Sequence, residues 1–376
     1  MTRISDAYGA INLSQGFPDF DPPKEIMDAL AKAAYQGPHQ YSVTYGAPNF
    51  RQALAKKQGK TINREIDPEK EIVVTCGGTE AMMCAMMTIC NPGDKVMVFS
   101  PFYENYGADA ILSGADPIYI PLIPPEYEFD INLIEQGFRD GAKAIIICNP
   151  SNPCGKVFRE DELLAIGKLA LKYDAFVVTD EVYEHIVYAP YKHIYMQSLE
   201  GMRERTIVCN SLSKTYSITG WRLGYVIANP QIIDRVKKVH DFLTVGAAAP
   251  LMEAAVVGLE FGDGYYDELA AHYAHMKEVF VGGLKKLGLK YTDPQGAYYV
   301  LVDVSEFGVK DDVKFCEWMA QFVGVAAVPG SSFFREDVHN LVRFHFAKQD
   351  DTLNEAIKRL ATLKEKAMNA KNVDWR

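Results

Sequence analysis

A single lysine, Lys214, stands in a run of hydroxyl-bearing and small residues, SLSKTYSITGWRLG, and Arg222 follows eight positions later. A solvated surface lysine would explain the cation but not its company of Ser211, Ser213 and the arginine. Three kinds of chemistry fit such a segment. They are acyl transfer from a Ser-x-x-Lys motif, the binding of a phosphate group, and covalent attachment of a carbonyl compound to the lysine amine.

The acyl-transfer alternative is the weakest of the three. Serine enzymes with a Ser-x-x-Lys nucleophile also carry Ser-Asp-Asn and Lys-Thr-Gly motifs. Both are missing here, and Lys214-Thr215 is followed by Tyr216 rather than by glycine. The chain also lacks the Gly-x-x-x-x-Gly-Lys-Ser/Thr spacing of a P-loop. A phosphate site of another kind and a Schiff-base lysine stay open.

Polar residues follow several apolar runs that we interpret as strands. In an open α/β sheet, ligands bind beyond the carboxyl ends of the strands. The residues at these positions are Gly78, Thr79, Tyr103, Asn152, Asp180, Tyr183, Ser211 and Lys214. Each alone has a plain structural explanation, such as a glycine turn, a helix cap or a packing aromatic. Together they provide an anion cradle at a helix start, hydroxyl groups and a carboxylate around one lysine.

The elements that must position these residues are visible as short, almost continuous apolar runs. The runs are 71–75, 95–100, 117–122, 142–150, 175–182, 206–213 and 222–229. Strands that are buried on both faces have such continuous apolar sequences. The helical periodicity between most runs indicates helices that cover the sheet. We therefore predict an α/β fold with a mostly parallel seven-stranded sheet, in a large domain over residues 41–250.

The pattern changes after residue 250. A long helical stretch leads into shorter strands and a closing amphipathic helix, which predicts a linking helix and a smaller α+β domain over residues 251–376. An N-terminal arm and helix over residues 1–40 are expected to pack with that domain. A chain of 376 residues is long enough for two domains.

Composition excludes several classes of function. The net charge of −10, without a basic run, argues against nucleic-acid binding, and no apolar run reaches membrane-spanning length. The seven cysteines contain no Cys-x-x-Cys pair and fit reduced thiols, so a cytoplasmic location is expected. No metal is expected either, because His272 and His275 lack a third ligand at suitable spacing.

The motifs taken together resemble the class I aminotransferases of pyridoxal 5′-phosphate (PLP) fold type I. The matching segments, in the family's order, are LSQGFPDF, QYSVTYGAPNFRQALA, GGTEA, NPSNPCGKVF, DEVY, SLSKTYSITGWRLGY and RFHFA. Nearly the whole chain is covered. The resemblance implies PLP as the cofactor and agrees with the predicted sheet.

It also implies a role for each residue around the cofactor ring. Lys214 would hold PLP as a Schiff base and then move the α-proton of the substrate. Asp180 would keep the pyridine nitrogen protonated, so that the ring can accept electrons. Tyr183 and Asn152 would hydrogen-bond the ring's phenolic oxygen, and Tyr103 would stack on the ring face.

A second group of residues would bind the cofactor phosphate. By resemblance these are Gly78, Thr79, Ser211 and Arg222, joined by Tyr41 from a neighbouring subunit. A tyrosine shared in this way implies a homodimer whose active sites lie across the interface.

The substrate end of the site would be formed by Arg343, which lies in RFHF and alternates with apolar residues. Its planar guanidinium group fits a carboxylate with two hydrogen bonds. Gly16 would line the same end, and Asn152 would contact the substrate as well as the cofactor. An amino acid and a 2-oxo acid such as 2-oxoglutarate would react in turn, in a ping-pong reaction.

The segment QGFPDF most resembles the branch of glutamine, methionine and kynurenine aminotransferases, which implies a neutral, sulfur-containing or aromatic donor. Aspartate aminotransferases carry an arginine shortly before the segment that matches TVGAAAP, but no Arg or Lys occurs between His240 and Glu253. A second carboxylate would lack that partner, although the small residues there could equally serve packing. Three alternatives stay open: an aspartate or dicarboxylate aminotransferase, a PLP-dependent carbon–sulfur β-lyase, and a non-catalytic binding protein on the same fold.

Overall fold

The structure is a computed structural model, and it describes residues 1–371 and 373–376. Within these residues the strands are Ile11–Asn12 (β1), Ile72–Thr75 (β2), Lys95–Ser100 (β3), Asp116–Pro121 (β4), Ala142–Cys148 (β5), Phe176–Asp180 (β6), Thr206–Ser211 (β7), Gly224–Ile227 (β8), Lys290–Tyr291 (β9), Tyr299–Asp303 (β10), Val325–Ala326 (β11), Val328–Pro329 (β12) and Leu341–His345 (β13).

The α-helices of the same residues are Thr2–Tyr8 (α1), Lys24–Gln36 (α2), Pro48–Thr61 (α3), Gly78–Ile89 (α4), Asn105–Leu112 (α5), Ile131–Arg139 (α6), Glu160–Lys172 (α7), Pro230–Thr244 (α8), Ala249–Leu259 (α9), Asp263–Lys286 (α10), Asp312–Trp318 (α11), Asp350–Leu360 (α12) and Leu363–Asn369 (α13). Short 3-10 turns occur at Met196–Ser198, Thr219–Trp221, Ser305–Phe307 and Gly330–Ser332, and a π-helical turn at Met319–Val323.

The larger sheet has seven strands in the order β2-β8-β7-β6-β5-β3-β4. All neighbours are parallel except β8, which runs antiparallel to both β2 and β7. This confirms the predicted α/β fold, and each predicted run overlaps one observed strand. Parallel neighbours bring the carboxyl ends of β5, β6 and β7 to one edge of the sheet.

Helices cover both faces of this sheet. Neighbouring residues of a strand point to opposite faces, and Met97 and Val98 accordingly belong to different buried clusters. Val98 shares its cluster with residues of α4 and α8, whereas Met97 shares its cluster with residues of α6 and α7. Burial on both faces explains why the strands read as continuous apolar runs.

A smaller antiparallel sheet, β12-β13-β10-β9, follows in the C-terminal part. Its cluster contains Val302 of β10 and Phe344 of β13, packed with Phe280 of α10 and Leu353 of α12. The N-terminal arm joins this part, because β1 pairs in parallel with β11. The sheet places Arg343 in its interior, between β10 and β12.

Helix α2 packs at the start of the C-terminal segment. It packs against α9, and Ile26 shares a buried cluster with Met252 of α9 and with Val74 and Val208 of the larger sheet. The helix therefore bridges the start of the C-terminal segment and the larger sheet, because its buried side chains face both. The domain boundaries at residues 40 and 250 stay predictions. No helix in the described part of the chain is both long and apolar enough to cross a membrane.

Candidate active site

A cavity of about 890 Å³ lies where the carboxyl ends of the larger sheet face the smaller sheet. All predicted site residues except Tyr41 line it, namely Gly16, Gly78, Thr79, Tyr103, Asn152, Asp180, Tyr183, Ser211, Lys214, Arg222 and Arg343. Residues far apart in the sequence thus meet because the ends of parallel strands meet.

One end of the cavity has the form of an anion cradle. Helix α4 begins at Gly78, and Gly77 before it has a φ of 87°, a backbone conformation that favours glycine. A Cβ atom on Gly77 would collide with the guanidinium group of Arg222. The free N–H groups of the helix start, this guanidinium group and the nearby Ser211 hydroxyl are suited to a phosphate.

Lys214 lies between the cradle and the smaller sheet. Its Nζ donates a hydrogen bond to the carbonyl oxygen of Gly16 at 3.0 Å. Burial lowers the pKa of Lys214 to about 8; Asp180 opposes this shift, and the cations Arg222 and Arg343 favour it. A substantial fraction of this amine is therefore neutral, and nucleophilic, at mildly alkaline pH.

Asp180 ends strand β6 beside the lysine. Its Oδ2 accepts a hydrogen bond from the Tyr106 hydroxyl at 2.6 Å, and its Oδ1 accepts one from the Val182 N–H at 3.3 Å. Burial raises the pKa of Asp180, although these two hydrogen bonds act against it. A cationic N–H in the cavity would offset the cost of keeping this carboxylate ionised. Tyr103, whose ring lies edge-on to Tyr106 at 5.7 Å, forms the adjoining wall.

Arg343 reaches the cavity from strand β13. Its Nη1 donates to Oδ1 of Asn152 at 2.7 Å, and its Nη2 donates to the carbonyl oxygen of Ser14 at 3.0 Å. The guanidinium group is stacked between the rings of Tyr299 and Phe333, at 4.3 and 4.4 Å. Its buried Nε has no hydrogen-bond partner in the described structure. The group is therefore a fixed cation that can still donate to a carboxylate.

Three residues of this site were not predicted from the sequence: Tyr106, Tyr298 and Tyr299. The Tyr299 hydroxyl lies 3.0 Å from that of Tyr183, and a Cβ atom on Gly16 would collide with it. The Tyr298 hydroxyl donates to the Gly16 carbonyl at 2.8 Å. For Tyr106 the sequence offered one signal. It follows Tyr103 by three residues at the start of a helix, a spacing that places two side chains on the same face.

Tyr41 is the exception among the predicted residues. Its side chain is 90% exposed and does not line the cavity of its own chain. Nearby in the sequence Val43 is exposed, and Phe242 and Val245 are exposed at the end of α8. The two segments are in contact, since Nε2 of His240 lies 2.8 Å from the Thr44 carbonyl oxygen.

Candidate metal ligands lie elsewhere. His275 contacts Asp350 at 2.9 Å on the surface, and the His272 ring packs edge-on against Phe20 at 5.1 Å. A buried group of Glu80, Cys84 and His240 does bring ligand atoms within 4.8 Å of one another.

These features define a class of protein before any comparison. An α/β sheet carries a phosphate cradle, a lysine of lowered pKa, a carboxylate and an arginine fork around one cavity. Such a cavity fits PLP, whose phosphate, aldehyde and pyridine nitrogen need an anion cradle, an amine and a carboxylate in turn. The partner-free Arg343 Nε fits the carboxylate of an amino or oxo acid.

Comparison with known proteins names the family. The model of the aminotransferases of class I and II matches residues 8–360. The chain therefore belongs to the class I and II aminotransferases. It is a PLP-dependent enzyme that uses amino acids and 2-oxo acids.

Curated relatives match over nearly the full length. A probable N-succinyldiaminopimelate aminotransferase of Mycobacterium tuberculosis is 34% identical, over 97% of this chain and 95% of its own. The methionine aminotransferase of Escherichia coli is 34% identical, over 96% of this chain and 94% of its own. Kynurenine–oxoglutarate transaminase 3 of Rattus norvegicus is 33% identical, over 94% and 85%.

Solved structures agree with the fold. The N-succinyldiaminopimelate aminotransferase from Mycobacterium tuberculosis superposes with a TM-score of 0.93 at 34% identity, covering 96% of both chains. An aspartate aminotransferase mutant of Thermus thermophilus superposes with a TM-score of 0.89 at 28% identity, again covering 96% of both chains. The fold and the enzyme class are thereby confirmed.

Proposed function

We propose that this aminotransferase takes the amino group of a neutral L-amino acid, with a sulfur-containing or aromatic side chain, and transfers it to 2-oxoglutarate. The names of the methionine and kynurenine–oxoglutarate relatives support this choice. The overall reaction exchanges an amino group for a keto oxygen between two acids, so it needs no external oxidant or reductant.

The charge of the cavity carries the choice of donor. Among the described residues that line it, the lysines and arginines are Lys214, Arg222 and Arg343. These are assigned to the amine chemistry, the phosphate and the α-carboxylate, so no lysine or arginine among the described lining residues is left for a second carboxylate. The acidic Glu104 and Glu317 also line the cavity. An aspartate side chain would lose its hydration there without a cationic partner, which is costly.

The reacting proton is assigned to Lys214. When bound, PLP supplies a conjugated ring that stabilises the negative charge left on the substrate Cα. Lys214 first holds the cofactor and, once released by the substrate amine, takes the proton from Cα and delivers it again. Asp180 keeps a proton on the pyridine nitrogen, and Tyr106 orients that carboxylate. Tyr183 would donate a hydrogen bond to the phenolic oxygen of the ring.

The remaining residues orient the two acids and the cofactor. Arg343 binds the α-carboxylate, and its bond to Asn152 directs the amide nitrogen of Asn152 towards the ring. Gly16 lets the backbone approach the substrate, since a Cβ atom would displace the Tyr299 hydroxyl. The start of α4 with Ser211, and Thr79 within it, holds the phosphate.

A second copy of the chain is part of the proposal. Tyr41 is exposed here, whereas the family resemblance assigns it to the phosphate of a neighbouring subunit. The exposed surface of Tyr41, Val43, Phe242, Leu243 and Val245 is apolar, which is typical of surfaces that bind another protein. We assign this surface to a homodimer contact. The free state of all seven cysteines supports a reducing, cytoplasmic location.

A panel of single half-reactions tests the donor. PLP-loaded enzyme is mixed with one amino acid at a time, and the absorbance of the bound cofactor is followed without any oxo acid present. Methionine and phenylalanine should react at least about tenfold more efficiently than aspartate, the order expected for an unpaired carboxylate. Asparagine, which matches aspartate in size but lacks the charge, is the matched control.

Two results would count against the proposal. Aspartate reacting as well as methionine would indicate a dicarboxylate enzyme. Pyruvate, ammonia and a thiol formed from a sulfur amino acid would indicate the β-lyase. Lys214→Ala should abolish the absorbance band of the lysine-bound cofactor, and a retained band would refute the assignment of this lysine.

A further inference from the structure

A buried ion pair lies directly behind the phosphate cradle. Glu80 occupies the first turn of α4, two residues after Gly78, and His240 lies on α8, four residues before the helix ends at Thr244. Oε1 of Glu80 and Nδ1 of His240 are 2.7 Å apart, and the side chains are 8% and 0% exposed. Neither residue lines the active-site cavity, so the chemistry described above does not use them.

The surrounding contacts indicate that both groups are charged. Nε2 of His240 lies 2.8 Å from the Thr44 carbonyl oxygen, which can only accept, so Nε2 carries a proton. Nδ1 faces the carboxylate, so it carries a proton as well. Burial disfavours the charged imidazole, but the hydrogen bond and charge of Glu80 outweigh burial and raise the pKa of His240.

The carboxylate is equally well supported. It accepts hydrogen bonds from the Thr244 hydroxyl at 2.8 Å and from the Cys76 backbone N–H, in addition to the imidazole. Burial acts against ionisation, but the bonds from His240 and Cys76 prevail and lower the pKa of Glu80. The anion in the first turn of α4 also suits the dipole of that helix.

A metal ion is a poorer explanation of this cluster. The Cys84 sulfur lies within 4.8 Å of the other two ligand atoms. Burial, however, raises the pKa of the Cys84 thiol, so a thiolate ligand is disfavoured. The carboxylate and the imidazole already satisfy each other, and a metal between them would break that bond.

The pair joins three segments that matter for cofactor binding. Through Cys76 it holds the turn that precedes the glycines of the cradle. Through His240 it anchors the end of α8, next to the exposed Phe242. Through Thr44 it anchors the segment that carries Tyr41, and Gly246 packs closely against the same Thr44 carbonyl.

We propose that Glu80 and His240 form a positioning pair that fixes the phosphate cradle relative to the segment carrying Tyr41. Cofactor affinity and assembly of two copies then depend on one buried contact. The effect on the assembly of two copies rests on the proposed homodimer, whereas the effect on the phosphate cradle arises within one chain. Both residues act through others, so loss of the pair should weaken PLP binding and leave turnover of the loaded enzyme intact.

The test is a double-mutant cycle of Glu80→Gln, His240→Gln and both together in the full-length protein. PLP affinity is measured by titrating apoenzyme and following cofactor absorbance, and association is measured by sedimentation equilibrium. We expect each single variant to bind PLP about tenfold to a hundredfold more weakly, which is the scale of leaving one buried hydrogen-bonding partner unsatisfied. The double variant should be no weaker than the worse single one.

A surface pair of the same chemistry provides the control. His275 and Asp350 contact each other at 2.9 Å on the outside of the protein, and His275→Gln should leave both measurements unchanged. At saturating PLP, kcat of the Gln variants should stay within about twofold of the wild type. A general loss of the fold would lower kcat and affinity together, which overturns the positioning role.

Three further outcomes would overturn the proposal. These are unchanged PLP affinity in both single variants, additive effects in the double variant, and one stoichiometric metal ion in wild-type protein that Glu80→Gln removes. If Glu80→Gln does not fold, His240→Gln, which places a neutral amide beside Glu80, tests whether loss of the pair weakens PLP binding. A wild-type protein that stays monomeric refutes the proposed homodimer. The positioning role of Glu80 and His240 is then tested by PLP affinity alone.

Discussion

Replacement of Asp109 tests how a buried carboxyl group limits the stability of this enzyme at alkaline pH. Asp109 lies on α5, is 3% exposed, and has an Oδ2 atom without a hydrogen-bond partner among the described residues. Burial, with a smaller effect of the negative Asp180, raises the pKa of Asp109 to about 7. Both of these effects disfavour the ionised form of Asp109.

The magnitude follows from the size of that shift. The ordinary pKa of this group is 3.8, so the native state holds its proton about three pH units longer than the unfolded chain. One unit corresponds to about 1.4 kcal/mol, so ionised Asp109 costs up to roughly 4 kcal/mol above pH 7. Between about pH 4 and pH 7 the native state binds more protons, and the free energy of unfolding therefore falls as pH rises.

Asp109→Asn and Asp109→Leu remove this titration. We expect both variants to be roughly 1–2 kcal/mol more stable than wild type at pH 5, where only the unfolded chain has lost this proton, and roughly 4 kcal/mol more stable at pH 8.5. Urea unfolding of the PLP-loaded enzyme at the two pH values measures the difference. As a control, Asp116→Asn changes an exposed carboxylate on the neighbouring β4. It should leave the free energy of unfolding unchanged at both pH values. A pH dependence of the Asp109 variants that runs parallel to wild type would refute the reasoning.

Two further predictions concern the active site. The rate at which apoenzyme takes up PLP should rise with pH and level off above about pH 8, because burial lowers the pKa of Lys214 to about 8. Stopped-flow absorbance measures this rate. A rate that still rises steeply between pH 9 and pH 10 would show that the pKa of the lysine is not lowered. Arg343→Lys should raise KM for amino acids about tenfold to a hundredfold, because lysine cannot replace the planar fork that donates to Asn152 and Ser14 and would bind the α-carboxylate. An unchanged KM would place the α-carboxylate elsewhere.

The sequence alone determined the strands and the positions of most site residues. Continuous apolar runs identify strands buried on both faces, and residues just beyond them share one edge of the sheet. That rule brought Asn152, Asp180 and Lys214 into one cavity before any coordinates were known. The order of family-like segments then indicated which cofactor such a cavity holds.

Other features depend on pairings that no local pattern encodes. The run 222–229 looks like its neighbours, but β8 is antiparallel to both strands beside it, and this turns Arg222 towards the glycines before α4. The position of α2 was also set by distant partners, since its buried side chains meet both α9 and the larger sheet. Strand direction and helix docking follow from long-range burial rather than from periodicity.

Protonation states belong to the tertiary structure in the same way. Glu80 and His240 are 160 residues apart in the chain, and only the fold places them 2.7 Å apart. Burial and neighbouring charges, which exist only in the folded chain, lower the pKa of Lys214 and raise that of Asp109. The sequence therefore determined which chemical groups this enzyme has, and the fold decided which of them are charged and what they face.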